Sequence, residues 1–185
     1  MLLSLLAKLQ MKFDIRILRG FLALGLLLHV QIVSSEALPE FRLKTAFLYN
    51  FVAFTEWPND IGATINLCVH GQSPLGEEIE ALSGRSANER HITIQRESQI
   101  ENLKGCQVIF ITSSAVHNLS HVLDSIKGQP ALTVSDSKGA ISQGVMINMS
   151  IEKDKIVFEV NLAAARRVGL NISSQLLRLA KEVSQ

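Results

Sequence analysis

The sequence predicts an α/β protein: a three-layer α/β/α sandwich built on a mostly parallel sheet, with an antiparallel hairpin near the C-terminus. Two observations carry this. Short segments of period-two alternation or unbroken apolar character are separated by stretches of helical spacing, the pattern of parallel strands joined by crossover helices. From residue 145 onward, two alternating segments follow one another across a short polar turn, as in a hairpin.

Taken in order, residues 40–56 place Leu43, Phe47, Phe51 and Phe54 at helical spacing, with Leu48 and Val52 beside them. Trp57-Pro58 is expected to end this helix, because a proline disfavours helical geometry in the residue before it. The wide apolar face reads as core, with part of it available to a homodimer or a partner. Residues 64–70 alternate Ile65, Leu67 and Val69 against Asn66, Cys68 and His70, a strand that Gly71 ends. Ser73 as N-cap and Pro74 in the first turn open a helix to about Leu82. A short strand over 91–95 and the continuous run Val108-Ile-Phe-Ile111 follow, the latter typical of a central strand buried on both faces. A helix over 114–127, a strand over 131–134 and a turn over 136–139 come next. Val145, Ile147, Met149 and Ile151 then alternate, Lys153-Asp154 turns, and Ile156, Phe158 and Val160 alternate again. Two helices, 162–168 and 173–183, close the chain on either side of Gly169-Leu-Asn171.

Upstream of this domain, Lys8, Lys12, Arg16 and Arg19 precede the apolar run from Phe21 to Leu28, and small residues follow at Ser34, Ser35 and Ala37. That order of basic, apolar and small residues is an export leader over 1–37, cut after Ser35 or Ala37. Met11 followed by Lys12 offers a second start with a more conventional basic region. His29 and Gln31 break the run before the ~20 apolar residues that a bilayer span requires. The remainder, 38–185, has the length of one domain and shows no linker or internal repeat. A net charge of +1 with interspersed acids and bases provides no basic stripe, which argues against a nucleic-acid partner.

Candidate chemical constellations are weak. His117 and His121 share a helix face with Asp124 one turn on, but Asn118-Leu-Ser120 lacks the glutamate of the zinc-protease motif, and solvated histidines are the plainer reading. Gly71-Gln-Ser-Pro-Leu-Gly76 follows a strand, yet it matches no phosphate-binding fingerprint and reads as a capped turn. No serine lies in a Gly-x-Ser-x-Gly elbow. Glu159, Asn161 and Arg166 lie close in sequence, with structural hydrogen bonding as their simpler role. No catalytic residue, metal or cofactor is predicted. The two cysteines differ, because export favours oxidation: Cys68 falls mid-strand and Cys106 at the entrance to the central strand. Neighbouring strands bring such positions to about the 5.5 Å Cα spacing of a disulfide.

Several segments together carry a family resemblance. Phe41-Arg-Leu-Lys-Thr-Ala-Phe-Leu-Tyr-Asn-Phe-Val-Ala-Phe-Thr-Glu-Trp-Pro58, Asn66-Leu-Cys-Val-His-Gly71, Gly105-Cys-Gln-Val-Ile-Phe110, Leu132-Thr-Val-Ser-Asp136, Phe158-Glu-Val-Asn161 and Gly169-Leu-Asn-Ile-Ser-Ser-Gln-Leu-Leu177 resemble the YfiR family in residues and in order. The resemblance implies a periplasmic, non-catalytic protein. It would bind the periplasmic sensor domain of an inner-membrane diguanylate cyclase, hold it inactive and so lower cyclic di-GMP signalling. It also implies sequestration by an outer-membrane peptidoglycan-associated lipoprotein and matches Cys68 and Cys106 to a family cysteine pair. A second pair found in some members has no counterpart over 132–150, so regulation resting on it does not carry over. Gly139-Ala140 and Gly144-Val145 also depart from the common pattern.

The partner surface is expected at the C-terminal end, where Leu170, Ile172, Leu176 and Leu177 cluster beside Glu159, Asn161 and Arg166. Either this apolar group is the centre of an interface with a polar rim, or all four aliphatics are core. The rival function is a periplasmic small-ligand sensor, its pocket at the carboxyl ends of the parallel strands near Gly71 and Ser113.

Overall fold

The computed structural model describes residues 37–73 and 75–185. The proposed leader and the first-turn role of Pro74 lie outside the described residues. The chain folds as a mixed α/β domain on a mostly parallel eight-stranded sheet. Helix α1 (Ala37–Ala53) leads into β1 (Thr55–Glu56), followed by β2 (Thr64–His70), β3 (Ser86–Ala87), β4 (Arg90–Glu97), β5 (Val108–Ile111) and α2 (Leu119–Ser125). Strands β6 (Leu132–Ser135), β7 (Ile147–Glu152) and β8 (Lys155–Asn161) precede α3 (Leu162–Arg167), β9 (Asn171–Ile172), α4 (Ser174–Leu177) and β10 (Glu182–Ser184).

The sheet order is β10-β8-β7-β6-β5-β2-β4-β3, and β1 pairs separately with β9. Strand β2 runs parallel to both β4 and β5, β5 to β6, and β6 to β7, whereas β7 and β8 are antiparallel. The central strands alternate between two buried clusters. Ile65, Leu67, Val69, Val108 and Phe110 join one, with Leu48, Phe51 and Val52 of α1. Cys68, Ile109 and Ile111 join the other, with Leu103 and with Leu119 and Val122 of α2. A strand buried on both faces has no polar face, which is why residues 108–111 read as unbroken apolar sequence. Phe51 of α1 stacks edge-on to Phe158 of β8 at 5.1 Å between ring centroids, and Phe47 reaches the same ring at 5.9 Å.

Several elements differ from the sequence expectation. Helix α1 stops at Ala53, before Trp57-Pro58. The Thr55 hydroxyl donates to the Phe51 carbonyl at 2.7 Å, and Thr55 and Glu56 pair with Ile172 and Asn171. The stretch after Gly71 forms a 3-10 helix, Gly76–Leu82, with Ile79 and Leu82 buried. Residues 114–127 divide into a 3-10 helix, Ser113–Asn118, and α2. The expected terminal helix is only α4, capped by Ser173, whose Oγ accepts from Gln175 N at 3.1 Å. Lys181 N then donates to Phe158 O at 2.8 Å, and β10 runs parallel to β8. An edge strand with open backbone groups outcompetes a short isolated helix for those residues.

Lys153 and Asp154 connect β7 to β8 with φ of 50° and 60°. A two-residue turn with both φ positive matches the strand twist and favours Asn-Gly. Lys153→Asn combined with Asp154→Gly should therefore raise stability by about 0.5–1 kcal/mol, read as an increase in melting temperature.

Candidate functional site

The C-terminal cluster is rearranged by the fold. Leu170, Ile172 and Leu176 are buried in the larger apolar cluster, and Leu177 packs against it half-buried. Ile172 lies opposite Thr55 in the β1–β9 pair, so the apolar excess of this segment is used in sealing the end of α1. The expected surface group of four aliphatics is corrected accordingly: three are core. Asn161 is also committed to structure, its Oδ1 accepting from Ala164 N at 2.9 Å to cap α3. Arg166 is exposed in the last turn of α3, where a cation suits the helix terminus. Glu159 is half-exposed and lines a cleft.

That cleft, about 560 Å³, lies at the ends of β6 to β8 and includes Lys44, Asp136, Asn148, Ile151 and Glu152. Lys44 of α1 reaches across to Asp136, Nζ to Oδ2 at 2.9 Å, and also bonds Glu40 one turn earlier at 2.9 Å. The Asp136 side chain is 8% exposed. Burial pushes the Lys44 ammonium down, but hydrogen bonds and charge from Glu40 and Asp136 outweigh it and hold the group above the ordinary lysine range. On the outer rim Glu152 pairs with Lys181 at 2.5 Å. Ile151 is 45% exposed next to Glu152, and Leu179 is 73% exposed two residues before Lys181. With Leu43, these are the large exposed apolar side chains among the described residues. Sequence reasoning missed them because Ile151 continues an alternation that otherwise marks core.

Cys68 and Cys106 form a disulfide with Cα atoms 5.9 Å apart. Cys68 is on β2, adjacent to β5, and both residues are buried in the smaller apolar cluster. At the carboxyl ends of β2 and β4 a second cleft, about 570 Å³, opens near His70, Gly71 and Arg96. Gly71 has φ of 96°, and a Cβ there would meet Thr112 Oγ1, Ser114 Oγ at 2.7 Å and Ala115 Cβ at 2.8 Å, so only glycine fits. His117, His121 and Asp124 are all exposed. Among the described residues, no three His, Cys, Asp or Glu side chains converge as metal ligands.

Among the described residues, no helix is long and apolar enough to cross a membrane. The fold is similar to that of a conserved domain protein from Vibrio cholerae O1 biovar El Tor, known from its crystal structure. The TM-score is 0.56 and the identity 7%, with 78% of this chain and 60% of that chain covered. This chain therefore spans well under two thirds of that protein's length, and the likeness is one of fold. The model of the YfiR/HmsC-like family matches residues 41–181, from α1 through the segment that leads into β10. With nearly the whole described domain matched in this way, the chain belongs to the YfiR/HmsC-like family.

Proposed function

We propose that this protein is a periplasmic regulator without catalytic activity, exported by the leader over 1–37 and working through the domain over 38–185. It binds the periplasmic sensor domain of an inner-membrane diguanylate cyclase and lowers cyclic di-GMP output. Family membership supports this reading. The observation that carries the contact surface is the exposed pair Ile151 and Leu179 flanking the Glu152–Lys181 ion pair, beside Glu159. Apolar side chains at the centre of a charged rim have the composition of a protein interface. Arg166 and the open part of Leu177 belong to the same proposed contact, whereas Leu170, Ile172 and Leu176 are core residues that maintain the fold. Repression is a population shift: binding the inactive sensor geometry about 100-fold more tightly biases the cyclase by about 2.7 kcal/mol. A peptidoglycan-associated outer-membrane lipoprotein, or a second copy of this chain, would compete for the same surface.

The test separates surface from core. Ile151→Asp and Leu179→Asp, singly and together, should raise cellular cyclic di-GMP while moving the melting temperature by no more than about 2 °C. Leu170→Asp and Ile172→Asp should each cost several kcal/mol, because they bury an unpaired carboxylate. Full repression by the folded Ile151→Asp/Leu179→Asp double variant would remove this surface from the mechanism.

A further inference from the structure

We infer that the cleft at the carboxyl ends of β2 and β4 is a binding site for a small, neutral, hydroxyl-bearing solute of monosaccharide size, held by a hydrogen bond at His70 Nε2. The strand order creates the crevice. From β2 the chain moves to β4 on one side and returns to β5 on the other, so the connections that leave β2 and β5 lead to strands on opposite sides of this pair. In open α/β sheets, ligands lodge where the strand order reverses in this way.

The floor of the crevice is built rather than incidental. Gly71 lets the β2 and β5 loops meet in contact. Ser114 Oγ accepts from Gln72 N at 2.8 Å, and the Thr112 and Ser114 hydroxyls lie 2.9 Å apart. His70, only 5% exposed, is fixed by a 2.8 Å hydrogen bond from Nδ1 to the Glu97 carbonyl. A carbonyl oxygen only accepts, so Nδ1 carries a proton and Nε2 is the ring nitrogen left to bond a ligand. That atom has no partner among the described residues, and His70 lines the cleft. A hydroxyl group suits that atom, since it both donates and accepts.

Charge decides the ligand class. Arg96 bonds the Gly76 carbonyl at 2.8 Å and Glu80 at 3.0 Å, while the Glu97 carboxylate accepts from Asn102 at 2.9 Å. Arg96 is thus charge-compensated by Glu80, and Glu97 already has a donor in Asn102. The side chains left without hydrogen bonds among the described residues are those of Gln72, Ser98, His117 and Asn118, which both donate and accept. An ionic ligand would compete with these internal partners for the same charged groups, whereas a hydroxylated one uses the side chains that are free. The volume of about 570 Å³ lies within the range of small-molecule sites.

Titration of the isotope-labelled protein at about pH 7.5, followed by amide chemical shifts, tests this. Glucose, N-acetylglucosamine and myo-inositol serve as neutral probes, with acetate and methylammonium as charged ones. At least one neutral probe should give saturating shifts confined to residues 70–72, 96–98 and 114–118. Asn118→Ala, at an exposed position, should weaken that binding about two- to tenfold, as expected for one hydrogen bond, and His70→Phe should abolish it. Absence of saturating shifts with all three neutral probes on the wild-type protein would overturn the assignment. So would saturation of the same residues by acetate or methylammonium, which would make the site ionic.

Discussion

Replacing both cysteines, Cys68→Ala with Cys106→Ala, is expected to lower stability by about 4 kcal/mol and the melting temperature by about 8–16 °C. The bridge spans 38 positions, and on the chain-entropy model closing a loop of that length removes about 4 kcal/mol of freedom from the unfolded chain. Small domains keep only about 5–15 kcal/mol in total, so the variant should be marginal. Calorimetry of the oxidised protein against the double variant measures the effect directly. Both sulfurs are buried between β2 and the residues that lead into β5. Alkylation of the native protein after mild reduction should therefore follow the rate of global unfolding. Rapid labelling of the folded state, or a melting shift below about 2 °C, would contradict a bridge that staples the core.

The second large effect concerns the ion pair beneath the cleft of β6 to β8. Lys44→Ala should cost about 3–5 kcal/mol, because it leaves the Asp136 carboxylate buried without its cation. The other oxygen, Oδ1, already lacks a hydrogen bond among the described residues, so neither would be compensated. Lys44→Met combined with Asp136→Leu should recover most of the loss, since removing both partners also removes the desolvation cost. Equilibrium denaturation of the two singles and the double closes the cycle, and additive losses would show that the pair is not coupled. The same pair sets an alkaline limit. Lys44 is held above the ordinary value of 10.5, so its contribution is complete below that pH and is lost as pH rises through the higher folded value. The wild type should lose an increment of stability above about pH 10.5 that the Lys44→Met/Asp136→Leu variant does not lose.

What the sequence disclosed was what local pattern controls. The run over 108–111 and the alternation over 64–70 each announce a strand because the burial of each residue is dictated by its own sheet position. With only two cysteines, pairing had a single solution. The larger failures involve distant partners. Residues 182–184 are a strand only because β8, some twenty positions earlier, offers an open edge, and nothing within the segment encodes that offer. Leu170 and Ile172 suggest an interface until β1 is placed against β9. Lys44 and Asp136, 92 positions apart, look like ordinary surface charges in one dimension. Of the side chains expected at a contact surface, Leu170, Ile172 and Leu176 are buried, while Glu159, Arg166 and Leu177 keep some exposure. Exposure of Ile151 and Leu179 depends on where neighbouring elements stop.

The pairing of Thr55-Glu56 with Asn171-Ile172 carries a consequence for how the protein matures. Asn171 Nδ2 bonds Glu56 Oε2 across 115 positions at 2.9 Å, so the clasp behind the first helix joins segments far apart in the chain. That clasp closes only when both segments are present. Until residue 172 is free, the aromatic face of α1 has no closed site to enter, and ordering so distant a contact is inherently slow. A chain open at this clasp leaves that apolar face uncovered, so partly folded states of the protein should be prone to aggregate.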